Sequence, residues 1–197
     1  VDRAERKKAE TFHHKWIDIA AELGCHSVRC NLYGGADDWK KDPDLVKRGA
    51  ETFHGLLAYA KGTNLNIIVE NHGRASSDPD VLLALVKAIN DPHFGLLVDL
   101  GNWNQGDDRY ANVKKVLPYH KGLSVKGTYG ADVDPAFDMV KLMKVALDGG
   151  YTGYWGIEVT PRRTRGQKIA TPDLLVMEEK IINEVKAIIQ KTVPGAA

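Results

Sequence analysis

Three acidic residues that each end a short aliphatic run are the first candidates for chemistry in this chain. Glu70 ends residues 65–70, Asp99 ends residues 95–99, and Glu158 follows residues 154–157. A carboxylate at the end of a buried strand is costly to desolvate unless it is paired, hydrogen-bonded or bound to a cation. One such acid alone could simply cap the next helix or accept amide hydrogen bonds. Three in succession favour a shared divalent metal, with Glu70, Asp99 and Glu158 as its ligands.

The ligand type limits which metal this site would hold. Carboxylate oxygens favour Mg²⁺ or Mn²⁺, and an added imidazole shifts the preference toward Mn²⁺, Co²⁺ or Zn²⁺. His72 follows Glu70 after one residue and is expected on a loop that faces the site, where binding residues are common.

The chain alternates between strand-like and helix-like segments. The runs read as buried strands are short, apolar and bounded by glycine or polar residues. They are residues 26–31, 65–70, 95–99, 122–126 and 154–159. Helix starts are indicated by an N-cap oxygen followed by proline, in Asp42-Pro43, Asp78-Pro79, Asp134-Pro135 and Thr171-Pro172.

Strict alternation of apolar strands and helices predicts a parallel sheet covered by helices, which is either a doubly wound sheet or a (β/α)₈ TIM barrel. Five strands in 197 residues favour the doubly wound fold, because a barrel has eight strands and about 250 residues. However, three acids at strand ends meet only if the sheet curves, and no glycine-rich phosphate loop follows the first strand. We therefore predict one α/β domain over residues 1–197, a partial TIM barrel of about five β/α units.

Composition excludes several classes of partner. Lys and Arg total 27 against 26 for Asp and Glu, so no broad field favours nucleic acid or an anionic membrane. No apolar run is long enough to span a bilayer. Cys25 and Cys30 flank a predicted strand and are expected to be thiols rather than a disulfide, which indicates a reducing, cytoplasmic location.

Several short motifs together resemble a known family. They are IVENHG at residues 68–73, VDLGN at 98–102, GYTGY at 150–154 and IE at 157–158. In this order and spacing they are similar to sugar phosphate isomerases and epimerases of the xylose isomerase-like TIM barrels, and the resemblance extends from about residue 10 to about residue 160. It implies that the five strands are the fourth to the eighth of a barrel, with the first three missing. Open edges in such a sheet lead us to expect a homo-oligomer.

The resemblance also implies a mechanism. In the family, the acids matching Glu70 and Glu158 bind the metal and transfer a proton between neighbouring sugar carbons, and the acid matching Asp99 is a further ligand. The metal polarises the substrate oxygens, and an enediolate forms. Return of the proton to the neighbouring carbon gives isomerisation, and return to the opposite face of the same carbon gives epimerisation.

The sequence departs from the family pattern at two positions. Ser124 stands where many relatives have a histidine ligand, which leaves His72 or water as the fourth ligand. Asn102 stands where relatives often have histidine, and we expect it to contact substrate.

Other polar residues have two possible roles. Lys126 could stabilise an enediolate oxygen as a catalytic residue or simply reach solvent. Arg29 and Asn31 could bind substrate hydroxyls, but Arg29 could equally form a salt bridge with Glu70. Arg162 could bind a substrate phosphate together with Arg163, Arg165 and Lys168, or these residues could be a solvated charge run.

Two other functions compete with the sugar isomerase or epimerase. The DNA-repair endonucleases of the same barrel family use three zinc ions, which need more histidine ligands than these strands provide. An inactive barrel remnant acting as a binding or oligomerising module is the other alternative. The sugar, its phosphorylation, and the choice among isomerase, epimerase and related dehydratase stay open.

Overall fold

The structure is a computed structural model, and it describes residues 2–32, 39–104, 106–126, 138–158, 171–193 and 195. For Lys126 and five residues of the last helix (171, 172, 174, 177 and 181) the description is limited to the main chain. Within these ranges the strands are β1 (Ser27–Cys30), β2 (Asn66–Glu70), β3 (Phe94–Asp99), β4 (His120–Lys126) and β5 (Trp155–Glu158). Each strand agrees with its predicted range to within two residues.

Six α-helices alternate with these strands in the described ranges. They are α1 (Arg3–Glu22), α2 (Leu45–Ala60), α3 (Pro79–Ile89), α4 (Arg109–Val116), α5 (Met139–Asp148) and α6 (Thr171–Thr192). Short 3₁₀ helices occupy Trp39–Lys41, Arg74–Ser77 and Leu117–Tyr119.

Strand order decides between the two predicted folds. All neighbouring strands pair in parallel, and their order in the sheet is β1-β2-β3-β4-β5, the same as in the chain. A doubly wound sheet reverses its order at a switch point, whereas sequential order with right-handed crossovers puts all connecting helices on one face. The sheet therefore curls as half of a barrel, which confirms the predicted partial TIM barrel.

Side chains along each strand point alternately to the two faces of the sheet, and the two faces differ in chemistry. Ile67 and Val69 of β2, like Leu96 and Val98 of β3, belong to the buried core that the helices cover. Alternate residues point to the opposite face. Glu70 lies on that face, so one strand delivers both aliphatic side chains to the core and a carboxylate to the concave side.

Helix starts agree with the sequence in part. Asp78 caps α3 as predicted, since its Oδ1 accepts hydrogen bonds from the N–H groups of Asp80 and Val81 at 2.8 and 3.3 Å. Asp42 does not cap α2, which begins at Leu45. The N-cap of α2 is Asp44. Asp42 Oδ1 accepts a hydrogen bond from the Asp44 N–H at 3.2 Å, and its Oδ2 forms an ion pair with Arg48.

The remaining two predicted starts have different outcomes. The pair at 134–135 lies outside the described residues, and α5 begins at Met139 with Asp138 as its N-cap. The described part of helix α6 begins at Thr171, whose side chain lies outside the description, so the cap predicted there stays a prediction.

The cysteines are free thiols, as predicted. Cys25 is exposed and Cys30 is buried on β1, where burial raises the pKa of the Cys30 thiol to about 12. Among the described helices, none combines the length and hydrophobicity that a bilayer crossing requires.

Candidate metal centre

The three predicted acids meet at the carboxyl edge of the sheet. Each offers a carboxylate oxygen, and these atoms all lie within 4.8 Å of one another. Glu70 and Asp99 end neighbouring strands and are 2% and 0% exposed, whereas Glu158 ends β5 and is half-buried. Strand β4 separates β3 from β5, so only the curl of the sheet brings Glu158 to the other two.

Two polar side chains hold the Glu70 carboxylate. Arg29 Nε lies 2.6 Å from Oε2, and Asn102 Nδ2 donates to Oε1 at 3.1 Å. A second guanidinium nitrogen of Arg29 donates to Asn31 Oδ1 at 2.8 Å. The ion pair that we considered for Arg29 is therefore present. Its positive charge offsets part of the repulsion among the three carboxylates.

Main-chain N–H groups of the loop that follows β3 hold the Asp99 carboxylate. Its Oδ1 accepts hydrogen bonds from the N–H groups of Gly101 at 2.7 Å and Asn102 at 2.9 Å. Asn102 therefore contacts both buried acids, one through its main chain and one through its side chain. Sequence reasoning predicted a substrate contact for Asn102 and missed this bridging position.

Asn71 was not singled out from the sequence, yet it contacts Asp99 twice. Its Nδ2 donates to the main-chain oxygen of Asp99 at 2.9 Å, and its Oδ1 accepts from the Asp99 N–H at 2.7 Å. The available signal was its place directly after a strand-ending acid. An amide there has both a donor and an acceptor for a neighbouring main chain.

Ser76 and Ser77 are buried, and Ser77 joins the loops that follow β2 and β3. The N–H groups of His72 and Gly73 donate to the hydroxyls of Ser76 and Ser77 at 3.0 and 2.6 Å. The Ser77 hydroxyl donates in turn to the main-chain oxygen of Asn102 at 2.5 Å. Gly73 has a φ of +91°, which glycine tolerates without strain. Ser76 and Ser77 thus hold the loop after β2 in place and are not among the three converging acids.

The other predicted residues occupy varied positions. His72 is exposed and is not part of the converging group of ligand atoms. Ser124 is buried on β4, paired in register with Asp99. Lys126 ends β4 in register with Glu158, but its side chain is outside the described part of the structure. Arg162 and the rest of the basic segment also lie outside the described residues.

The arrangement fits a divalent cation. Two oxygens on opposite sides of one ion, each about 2 to 2.6 Å from it, lie about 4 to 5 Å apart, and the three acids meet this limit. Three carboxylates bring three negative charges against one from Arg29, a balance that a dication would correct. The all-oxygen set suits Mg²⁺ or Mn²⁺.

Comparison with protein families agrees with the fold. The model of the xylose isomerase-like TIM barrel family matches residues 1–181. The chain belongs to this family. Membership confirms the resemblance found in the sequence motifs. A comparison with curated protein sequences finds no significant match.

Several solved structures share the fold. D-psicose 3-epimerase, solved in the presence of D-fructose, gives a TM-score of 0.73 at 18% identity, covering 98% of this chain and 73% of that protein. D-allulose 3-epimerase from Methylomonas sp., in complex with D-allulose, gives 0.73 at 16%, covering 98% and 71%. The IOLI protein with a bound zinc atom gives 0.73 at 13%, covering 98% and 73%.

Proposed function

We propose that this chain acts as a metal-dependent isomerase or epimerase of a sugar or sugar phosphate. The convergence of the Glu70, Asp99 and Glu158 carboxylates carries this proposal, because that set of groups can hold a divalent cation and also transfer protons. A cation held there supplies Lewis-acid polarisation of a substrate carbonyl and hydroxyl oxygen.

Glu70 and Glu158 are the proposed proton-transfer groups. A hydrogen on a carbon next to a polarised carbonyl is acidic enough for a carboxylate to remove, which gives an enediolate. Because Glu70 and Glu158 reach the site from strands on either side of β3 and β4, they approach a substrate between them from different directions. Return of the proton from the opposite side gives the epimer, and return to the neighbouring carbon gives the isomer.

The substrate contacts in this proposal are polar. Arg29, Asn31, His72 and Asn102 surround the acids or follow them on adjacent loops, and Arg29 and Asn102 already donate to Glu70. Those two would therefore orient the carboxylate as well as contact a substrate hydroxyl. Lys126 stays a proposed stabiliser of an enediolate oxygen, and Arg162 a proposed phosphate contact.

A ketose is the proposed substrate class. It is supported by two of the similar folds, which are a D-psicose 3-epimerase and a D-allulose 3-epimerase. A six-carbon ketose offers a carbonyl flanked by hydroxylated carbons, which the proposed mechanism needs.

Solvent deuterium exchange tests this function. The chain is loaded with Mn²⁺ and incubated in D₂O with D-fructose, D-psicose or D-tagatose, and NMR follows deuterium at the carbons beside the carbonyl. The proposal predicts deuterium incorporation and a new ketose, absent with Glu158→Gln. Elimination of water instead would indicate a dehydratase. A chain that binds Mn²⁺ but exchanges no substrate hydrogen would favour the inactive binding module.

The zinc endonuclease reading gains no support from the ligand set. The converging group found among the described residues consists of carboxylates alone. A three-zinc cluster needs several imidazole ligands, which suit zinc better than carboxylates do.

We also propose that the chain forms a homo-oligomer through the outer face of α1. Phe12, Trp16, Ile19 and Leu23 recur at four- and three-residue spacing along this helix and are between 44% and 73% exposed. A continuous exposed apolar stripe of this kind is typical of an interface.

Charge along α1 favours a second copy as the partner. Residues 3–8 contain Arg3, Arg6, Lys7 and Lys8 against Glu5, whereas residues 13–22 contain Asp18 and Glu22 against Lys15. Antiparallel pairing of two α1 helices would place each basic end beside an acidic end. Sedimentation analysis should show a dimer that Trp16→Glu dissociates and that Tyr154→Glu, at an exposed aromatic residue away from α1, leaves intact. A monomeric wild-type chain would contradict this proposal.

A cytoplasmic location stays part of the proposal. It is supported by the two free thiols, since exposed thiols such as that of Cys25 are typical of reducing compartments.

A further inference from the structure

The side chain of Asn71 forms hydrogen bonds with β3 just beyond the last residue pair of the β2–β3 ladder. The ladder between these strands ends with Glu70 opposite Leu97. Two residues later on β3, the side-chain amide of Asn71 contacts both the N–H and the C=O of Asp99, at 2.7 and 2.9 Å. The side chain thus makes the two hydrogen bonds that a neighbouring strand would otherwise make.

These contacts complete a closed ring around the two buried acids. Glu70 is covalently joined to Asn71, which clamps the Asp99 main chain. Asp99 Oδ1 accepts from the Asn102 N–H, and Asn102 Nδ2 returns to Glu70 Oε1. Asn71 and Asp99 are 1% and 0% exposed, so water does not compete for these hydrogen bonds. Rotation of either acid therefore requires that the ring open.

We infer that Asn71 is a positioning residue, which sets the distance between the Glu70 and Asp99 carboxylates and so determines the affinity of the site for a divalent cation. This inference rests on the proposed metal site. Asn71 is not proposed as a ligand, because both polar groups of its side chain are engaged by the Asp99 main chain. Groups that orient a metal ligand commonly contribute about 10- to 100-fold to metal affinity.

Asn66 provides a matched control on the same strand. It begins β2, is 9% exposed, and its Nδ2 donates to the main-chain oxygen of His26 at 3.0 Å. It is therefore also an asparagine of low exposure that bonds a neighbouring main chain. It lies at the opposite end of the strand from the three acids, so its loss removes a comparable structural contact without touching them.

Two measurements test the inference on the full chain. Mn²⁺ titration calorimetry is expected to show affinity lowered about tenfold or more in Asn71→Ala and by less than about twofold in Asn66→Ala. Amide hydrogen exchange of the metal-free protein, read at Asp99, is expected to be slow in the wild type and in Asn66→Ala, and at least about tenfold faster in Asn71→Ala.

The outcomes separate this inference from the proposed function. Equal Mn²⁺ affinities in Asn71→Ala and Asn66→Ala would overturn the positioning role. So would an Asp99 amide in the wild type that exchanges as fast as exposed loop amides, a result that needs no variant to fold. A wild-type chain that binds no Mn²⁺ while its Asp99 amide stays protected would overturn the proposed metal site and leave the hydrogen-bonded clamp in place.

Discussion

The two central acids and the acid on β5 are built into the molecule differently. Glu70 and Asp99 lie on adjacent strands, are almost completely buried, and are joined through Asn71 and Asn102. Glu158 lies two strands from Asp99 and is half-buried. Hydrogen bonds within the core therefore fix Glu70 and Asp99. The position of Glu158 depends instead on the curvature of the sheet. We conclude that Glu158 is the better placed acid to exchange a proton with solvent.

The largest expected effect is a loss of kcat when Glu158 is replaced. Glu158→Gln should lower kcat about 10²- to 10⁴-fold, the usual contribution of a proton-transfer group, because an amide cannot accept the substrate proton. Steady-state assays with the ketose identified by deuterium exchange would measure it. Asn66→Ala serves as the control variant. A Glu158→Gln enzyme that retains more than about a tenth of wild-type kcat would contradict the assigned role.

The free energy of unfolding without metal should change by different amounts in variants of the two acids. Glu70→Gln should lower the free energy of unfolding by about 1–3 kcal/mol, because it breaks the hydrogen-bonded ion pair with Arg29, which is 41% exposed and so worth less than a fully buried pair. Glu158→Gln should change it by less than about 1 kcal/mol, because Glu158 is half-buried and solvent weakens its interactions. Urea unfolding in EDTA measures both. Changes of equal size would remove the distinction between the two regions.

Replacing Ser124 with histidine would add a metal ligand between the buried acids and Glu158. It lies on β4, between the strand of Asp99 and that of Glu158, at the position where the resemblance to the family implies a histidine ligand. Ser124→His should raise Zn²⁺ affinity on the order of tenfold, because imidazole suits zinc better than a hydroxyl does. The larger side chain should cost about 1–3 kcal/mol of stability without metal. Competitive metal titration of the variant and the wild type tests it, and unchanged Zn²⁺ affinity would show that β4 does not face the acids.

The smallest expected effect is a difference in reactivity between the buried thiol of Cys30 and the exposed thiol of Cys25. Burial raises the pKa of Cys30 to about 12, while Cys25 is exposed. Iodoacetamide at pH 8 should therefore modify Cys25 and leave Cys30 unmodified until urea is added. The raised pKa also stabilises the fold below the unfolded thiol pKa of about 8.5, and this contribution is lost as the pH rises toward 12. Mass spectrometry of the modified peptides measures the difference, and equal modification of both thiols in the native protein would contradict the closed core.

Sequence patterns predicted the local structure better than the tertiary arrangement. Short apolar runs gave all five described strands, because a buried parallel strand needs side chains that suit both faces. Strand order is set by how neighbouring units pack, so the choice between the two folds depended on the acids and not on periodicity. The cap predicted at Asp42 was wrong because α2 begins later, at Leu45, so the main-chain N–H that Asp42 Oδ1 accepts is that of Asp44, before the helix.

The sequence predicted the three acids of the candidate site. It did not predict the residues that hold these acids in place. Glu70, Asp99 and Glu158 could be found because a charged residue ending an aliphatic strand is conspicuous in one sequence. Asn71 and Ser77 could not, because their partners lie 28 and 25 residues away and an asparagine or serine in a loop has many uses. Such roles are visible only once the neighbouring loop is in place.

A crystal structure of the chain grown with Mn²⁺, with anomalous diffraction data collected at the manganese edge, tests the central claim most directly. The account predicts one anomalous peak bonded to oxygens of Glu70, Asp99 and Glu158 at about 2 to 2.6 Å, a typical range for oxygen ligands of divalent cations. Absence of manganese from this position at a saturating concentration, or the three carboxylates turned away from one another around no ion, would contradict it.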